Sequence, residues 1–393
     1  SPVHQLAATP PANRARRVGA SQAPAFTTAL AAFEHQVQAH GQRIALRDAD
    51  GSLSYSALDQ AASELAERLR QAGASAGQII AIALPRSRAL ISAMLASWKL
   101  GAAYLCLDSA LPAARQQQLL DDSGASVLID PTQTLHSLRP GTQVAQGGAH
   151  PQQLAYLIYT SGSSGTPKAV RVSQSNLLHY ADAVLKPLAL SPEASLTALA
   201  SVAADLGYTA WFGALLSGRT LQLISDELAS DPEELARYWA ANPVDCLKIV
   251  PSHLGALLES KAPAVPATVI LGGEAPSAAL LQRLLQIRPD CKLFNHYGPT
   301  ETTVGVMVHP VRAVPTGTLG LSQVLPNNQI YVLDQHLQLA VTGVLGELYV
   351  GGQQVCRGYL QDVQSDPPAF VESPFVAGER LYRTGDLARY RPD

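Results

Sequence analysis

The chain has 393 residues, 47% of them hydrophobic and 15% charged, with a formal net charge of −3. That length and apolar content suffice for a large core divided among more than one lobe, and the near-neutral balance gives no basis for a nucleic-acid partner or an anionic membrane surface. No apolar run reaches the roughly 18 residues of a membrane span, and the N-terminus lacks the apolar core of a signal peptide, so a cytoplasmic location is expected.

Residues 1–24, rich in Ala, Pro, Arg and Ser, hold no lasting period and read as a linker or tail before a large unit over 25–393. Leu58, Ala61, Ala62, Leu65 and Leu69 follow the helical spacing, and Gly73 closes that helix. "QIIAIALP" predicts a strand, 87–100 a helix, "AYLCL" a strand, and a helix after Pro112 leads to the strand "SVLID". Further strands are expected at "TLQLI", "CLKIV", "ATVILGG" and "KLFNHYG", with helices starting near Asp231, Ser252 and Ser277. Continuous apolar strands separated by helices define an α/β protein with mainly parallel sheets covered on both faces. Beyond 310, "NNQIYVLD", "GELYVGG" and Gly/Pro-rich connections predict a smaller, β-rich lobe, and the chain stops at "YRPD" without a closing element, as a piece of a longer protein would. Cys106, Cys246, Cys291 and Cys356 lie far apart with no CxxC pair and read as ordinary buried thiols.

Two stretches carry chemistry. "LAYLIYTSGSSGTPKAVRVS" (154–173) is a strand, a loop over 160–168 and a second strand. Its glycines allow close approach to a polyphosphate, and its hydroxyls and Lys168 supply donors and positive charge. The GxxxxGK[ST] spacing is absent and a strand follows, which disfavours a kinase or GTPase loop; a plain Ser/Gly surface loop is the alternative. In "VDCLKIVPS" (244–252), Lys248 stands among Cys246, Leu247, Ile249 and Val250. Desolvating an ammonium there is costly unless an anion meets it or its stem snorkels to water.

Together with "LSYSALD" (53–59), "WKLGAAYLCLD" (98–108), "NHYGPTETT" (295–303), "GELYVGGQQVCRGYL" (346–360) and "YRTGDL" (382–387), these stretches closely resemble the amino-acid adenylation domains of nonribosomal peptide synthetases, within the adenylate-forming superfamily. The resemblance runs from about residue 25 to the last residue. It implies the large N-terminal subdomain of that fold: two helix-covered, mainly parallel sheets in an αβαβα arrangement plus a β-rich lobe, with a small C-terminal lobe absent. That lobe carries a lysine for the adenylation step, so impaired turnover is expected of the piece without it.

The implied reaction joins an amino-acid carboxylate to the α-phosphate of ATP, releases pyrophosphate, and passes the acyl group to the phosphopantetheine thiol of a carrier protein; dependence on an MbtH-like helper protein stays open. Carried over by position, Thr160, Ser161, Gly162, Ser163, Ser164, Gly165, Thr166 and Lys168 surround the β- and γ-phosphates. Tyr297 stacks on adenine beside Gly298, with Asn295 and Gly273, Glu274 and Ala275 near the base edge. Thr300 hydrogen-bonds the α-phosphate, Glu301 holds Mg²⁺, and Asp386 accepts from the ribose hydroxyls. Thr300, Glu301 and Lys168 are the expected catalytic residues. Gln174 stands where the family often has histidine.

The resemblance also places the amino-acid pocket. Asp205 takes the position that binds the α-ammonium, followed by Leu206, Thr209, Lys248, Ile270, Gly272, His296, Val304 and Gly305. This series resembles the family's aspartate signature; the asparagine type shares the lysine but has an acidic residue at the position of His296. A carboxylate accepts from histidine, whereas an amide NH₂ needs an acceptor. L-Aspartate is the expected substrate, with asparagine or β-hydroxyaspartate, an acyl- or aryl-CoA ligase, and a non-catalytic interaction domain as alternatives; Asp205 speaks against the ligase.

Overall fold

A computed structural model describes residues 16–139, 150–160, 167–315, 317, 319–361 and 368–391, with the backbone of 4–6. Six strands form the first sheet in the order Lys168–Ser173, Leu154–Thr160, Ala103–Cys106, Ile79–Ile82, Val127–Ile129, Leu135–Ser137, parallel at its centre and antiparallel at both edges. Nine strands form the second sheet. Its parallel centre is Lys292–Tyr297, Thr268–Gly272, Cys246–Ile249, Ser195–Leu199, Thr220–Gln222 and Ile44–Asp48, with Gly51–Ser54 antiparallel at one edge and Met307–Pro310 and Gln323–Val324 at the other. This is the expected α/β arrangement.

Helices pack between the two sheets. Tyr208–Leu215 is buried at every position and Gln174–Val184 at most of them. Tyr208–Leu215 is apolar nearly all round and shows no amphipathic period, which is why it was not predicted; Gln174–Val184, with Ser175, His179 and Asp182 at its less buried positions, was missed without that reason. Trp98, Phe212, Tyr104, Tyr156 and Tyr208 form a continuous aromatic seam there, with ring centroids 5.0 to 6.3 Å apart. The opposite face of the nine-stranded sheet holds a second core of Leu247, Ile249, Val269, Leu271 and Leu293.

The third sheet is the β-rich lobe, built around Asn328–Leu333, Gly346–Gly352 and the 11-residue strand Arg380–Tyr390. Here the expected linker or tail is corrected in part. His4–Leu6 pairs with Arg380–Tyr390, and Arg16–Val18 pairs with Asn328–Leu333. Three-residue strands bonded through their backbones are too short to leave a period in the sequence. Among the described residues no helix is long and apolar enough to cross a membrane, and all four cysteines are buried and free.

Candidate active site

Strand register brings together several of the residues expected around the amino acid. Lys248 pairs with Ile270, and Gly272 pairs with His296. Residues two apart on a strand share a face, so Lys248, Ile270, Gly272 and His296 all point toward the helices between the sheets. Lys248 is 1% exposed and its Nζ lies 2.7 Å from His296 Nδ1. Both glycines are required by close approach. A Cβ on Gly272 would sit 2.6 Å from Lys248 Nζ, and one on Gly305 would sit 2.3 Å from the His296 ring.

Burial pulls the Lys248 ammonium down to about 7, against a partly compensating attraction to Asp205. Burial, and secondarily Lys248, also hold His296 well below its ordinary value, so its ring is neutral. When Lys248 is charged, Nζ donates to Nδ1 and the ring proton resides on Nε2. That Nε2 is buried without a hydrogen-bond partner.

Asp205 opens the 3-10 turn Asp205–Gly207 ahead of the helix Tyr208–Leu215. Burial and nearby Glu301 lift its carboxyl to about 6, opposed by the Val304 amide and the Thr300 hydroxyl. Thr300 Oγ1 donates to Asp205 Oδ1 at 3.4 Å, while Oδ2 is buried and unpartnered. Thr209, fully buried, hydrogen-bonds Tyr180 at 2.6 Å, and the Tyr180 ring lies 5.8 Å from that of His296. Leu206 packs beside Gly273. Val304 is buried in the left-handed region, φ 64°.

The residues expected around the nucleotide come from the loop ends. Thr160 pairs with Lys168 across the hairpin; Ser161, Gly162, Ser163, Ser164, Gly165 and Thr166 lie outside the described residues. The Lys168 ammonium stands 5.2 Å from the centroid of the Tyr359 ring, and the Tyr359 hydroxyl donates to Glu301 Oε1 at 2.8 Å. Tyr359 thus joins two of the expected catalytic residues. Tyr297 and Asp386, far apart in sequence, meet through a 2.6 Å hydrogen bond from the phenol to Oδ2. Asn295 and Gly298 flank this point, while Glu274 uses its carboxylate to accept from the Ser252 amide and hydroxyl, leaving the backbone of Gly273, Glu274 and Ala275 to line the turn. Sequence reasoning missed Tyr180 and the role of Tyr359. The second had a signal, its place in "CRGYL"; the first had none.

The fold is that of an adenylate-forming enzyme. The AMP-binding enzyme family matches residues 33–360, and the chain belongs to it. Within that family it is similar to "Tyrocidine synthase 3" of Brevibacillus parabrevis, 33% identical over 394 residues, covering 94% of this chain and 6% of that protein. It is 31% identical to "Tyrocidine synthase 2" of the same organism over 377 residues, 92% of this chain and 10% of the other. The chain thus spans a tenth or less of the length of these relatives. Among solved structures, a four-domain nonribosomal peptide synthetase bound to AMP and glycine superposes with a TM-score of 0.82 at 29% identity, over 96% of this chain and 29% of that one. The Klebsiella oxytoca NpsA N-terminal subdomain shares the fold, with a TM-score of 0.83 at 23% identity over 95% and 98% of the two chains.

Proposed function

We propose that the chain activates L-aspartate as aspartyl-AMP, for transfer to the phosphopantetheine thiol of a carrier protein in nonribosomal peptide synthesis. A carboxylate oxygen attacks the α-phosphorus of ATP while the bond to pyrophosphate breaks. Thr300 donates toward the α-phosphate, Lys168 offsets charge on the outer phosphates, and Tyr297 with Asp386 hold the adenosine. The residues present fit Mg²⁺, which is ordinarily held by one or two carboxylates together with substrate phosphates and water. Glu301, buried and oriented by Tyr359, is that carboxylate, and the ion would neutralise phosphate charge.

The observation that carries the aspartate reading is a pair of buried, unsatisfied atoms of opposite kind. Asp205 Oδ2 is an acceptor suited to an α-ammonium, and His296 Nε2 beside Lys248 is a donor suited to a side-chain carboxylate. Buried polar groups ordinarily have partners, and because these two lie with Lys248 and Thr300 in the proposed pocket, a bound amino acid is the partner proposed for both. An amide side chain would present its NH₂ to donors.

Calorimetric binding of nonhydrolysable aspartyl-, asparaginyl- and glutamyl-sulfamoyl adenosines tests this. An aspartyl preference of about tenfold, about 1.4 kcal/mol, is expected. Lys248→Ala should remove it and leave AMP binding intact, since breaking a buried charged contact costs about 3–5 kcal/mol. Equal binding of the three analogues, or an asparaginyl preference, sinks the aspartate assignment. A variant that loses AMP equally makes Lys248 structural.

A further inference from the structure

Behind the pocket, residues 302–305 form a turn in which two consecutive β-branched residues, Thr303 (φ 59°) and Val304 (φ 64°), occupy the left-handed region. Such residues adopt it only where their surroundings over-determine it. The surroundings here centre on one side chain. Gln354 is completely buried, and its Nε2 donates to the Gly305 carbonyl at 2.6 Å, with longer contacts to the carbonyls of Thr302 and Thr303. Its Oε1 accepts from Asn328 Nδ2 at 2.7 Å, and its own carbonyl accepts from Thr303 Oγ1 at 2.7 Å. Asn328 is also completely buried and donates to the carbonyl of Pro326. The amide therefore bridges the β-rich lobe to the pocket wall with both ends satisfied.

The turn it holds carries three features of the pocket. Gly305 lies directly under the His296 ring, Val304 presents its amide toward Asp205, and Thr300 and Glu301 immediately precede it. We infer that Gln354 is a positioning residue for amino-acid selection: its amide fixes the strained turn 302–305, and through Gly305 and Val304 it sets the donor of His296 and the acceptor of Asp205 against the substrate. A carboxamide can donate to the Gly305 carbonyl while accepting from Asn328 at any pH, whereas a carboxyl of the same length can do so only when protonated. This inference rests on the amino-acid pocket proposed above, whichever amino acid that pocket takes.

The test compares wild type, Gln354→Leu and Gln354→Glu for binding of AMP and of the aminoacyl-sulfamoyl adenosine that wild type prefers. Gln354→Leu is expected to weaken the aminoacyl analogue about tenfold with AMP changed less than about threefold, as loss of a buried hydrogen-bonded group implies. In Gln354→Glu, a protonated carboxyl can still donate to Gly305, so its deficit relative to wild type should shrink as pH falls. Equal weakening of both ligands, no weakening, or a pH-independent deficit overturns the inference. Thr303→Ala, which cuts the bond to the Gln354 carbonyl and leaves the amide in place, gives the same split at smaller amplitude and decides the matter if Gln354→Leu does not fold. Nitrogen NMR of His296 without ligand separates this from the substrate reading. A changed ring environment in Gln354→Leu supports the positioning role even where wild type ranks the analogues differently from aspartate first, and an unchanged one overturns it.

Discussion

Burial brings the Lys248 ammonium down to about 7 and lifts the Asp205 carboxyl to about 6, so both groups sit where their charged forms are disfavoured. An aspartyl ligand needs both charged. Its affinity should fall as pH drops through about 6, where Asp205 takes up a proton, and fall again as pH rises above about 7, where Lys248 loses one. Titrating the aspartyl analogue from acid to base checks this; a flat profile removes Asp205 and Lys248 as the contacts. Stability carries the opposite signs. Between about 7 and 10.5 the unfolded chain holds a proton on Lys248 that the folded chain lacks, so this group makes stability rise with pH there; between 3.8 and about 6 Asp205 makes it fall with rising pH. Gly305→Ala tests the space under His296. Its Cβ would meet the ring at 2.3 Å, so an overpacking cost of about 1–3 kcal/mol is expected in chemical denaturation, with a loss of aminoacyl over AMP binding. Lys248 drew notice because a charged residue inside an apolar run announces itself, whereas Asp205 and His296 were placed by the resemblance to the family. Tyr180 and Gln354 were not, because each reaches the pocket through partners 29 and 49 or more residues away along the chain, and sequence spacing does not encode that approach.

Strands were read from short apolar runs, and helices from a spaced apolar face or a cap residue at their start. Ser277, Ser87 and Asp231 cap helices within a residue of where they were expected. The helices Gln174–Val184 and Tyr208–Leu215 lie between sheets and were missed, although the first opens on a capping box in which Ser173 and Asn176 satisfy each other's backbone. Gln174, which departs from the family's frequent histidine, accepts from the Leu30 amide at 3.2 Å and ties this helix to Ala29–His40. Ser173→Ala should therefore lower stability by about 1 kcal/mol, read as a small drop in Tm. Because Ser173 also ends the strand that begins at Lys168, a matching loss of AMP affinity is expected. An unchanged Tm would mean the cap contributes nothing that packing does not already supply.

At the scale of the whole molecule, the aromatic seam joins the two large sheets. Trp98 is fully buried, its ring lies tilted with its centroid 5.0 Å from that of Phe212, and its indole donates to the Ala155 carbonyl at 2.9 Å. Trp98→Ala should cost about 3–5 kcal/mol, measured by denaturant midpoint, and it acts on both sheets at once; a loss below about 1 kcal/mol would show that the sheets hold together without it. The layered α/β plan followed from alternating strands and helices, but sheet order did not, because the partner of each strand is set by crossovers and not by its own residues.

The strand Lys292–Tyr297 places His296 on the face it shares with Lys248 and Gly272, while Asn295 and Tyr297, on either side of it, point to the other. If the first face meets the amino acid and the second the adenosine, one pleat separates the variable half of the chemistry from the constant half. A lineage could then change which building block is loaded by replacing residue 296 and its strand neighbours, while the nucleotide grip of the same strand passes unaltered from one descendant to the next.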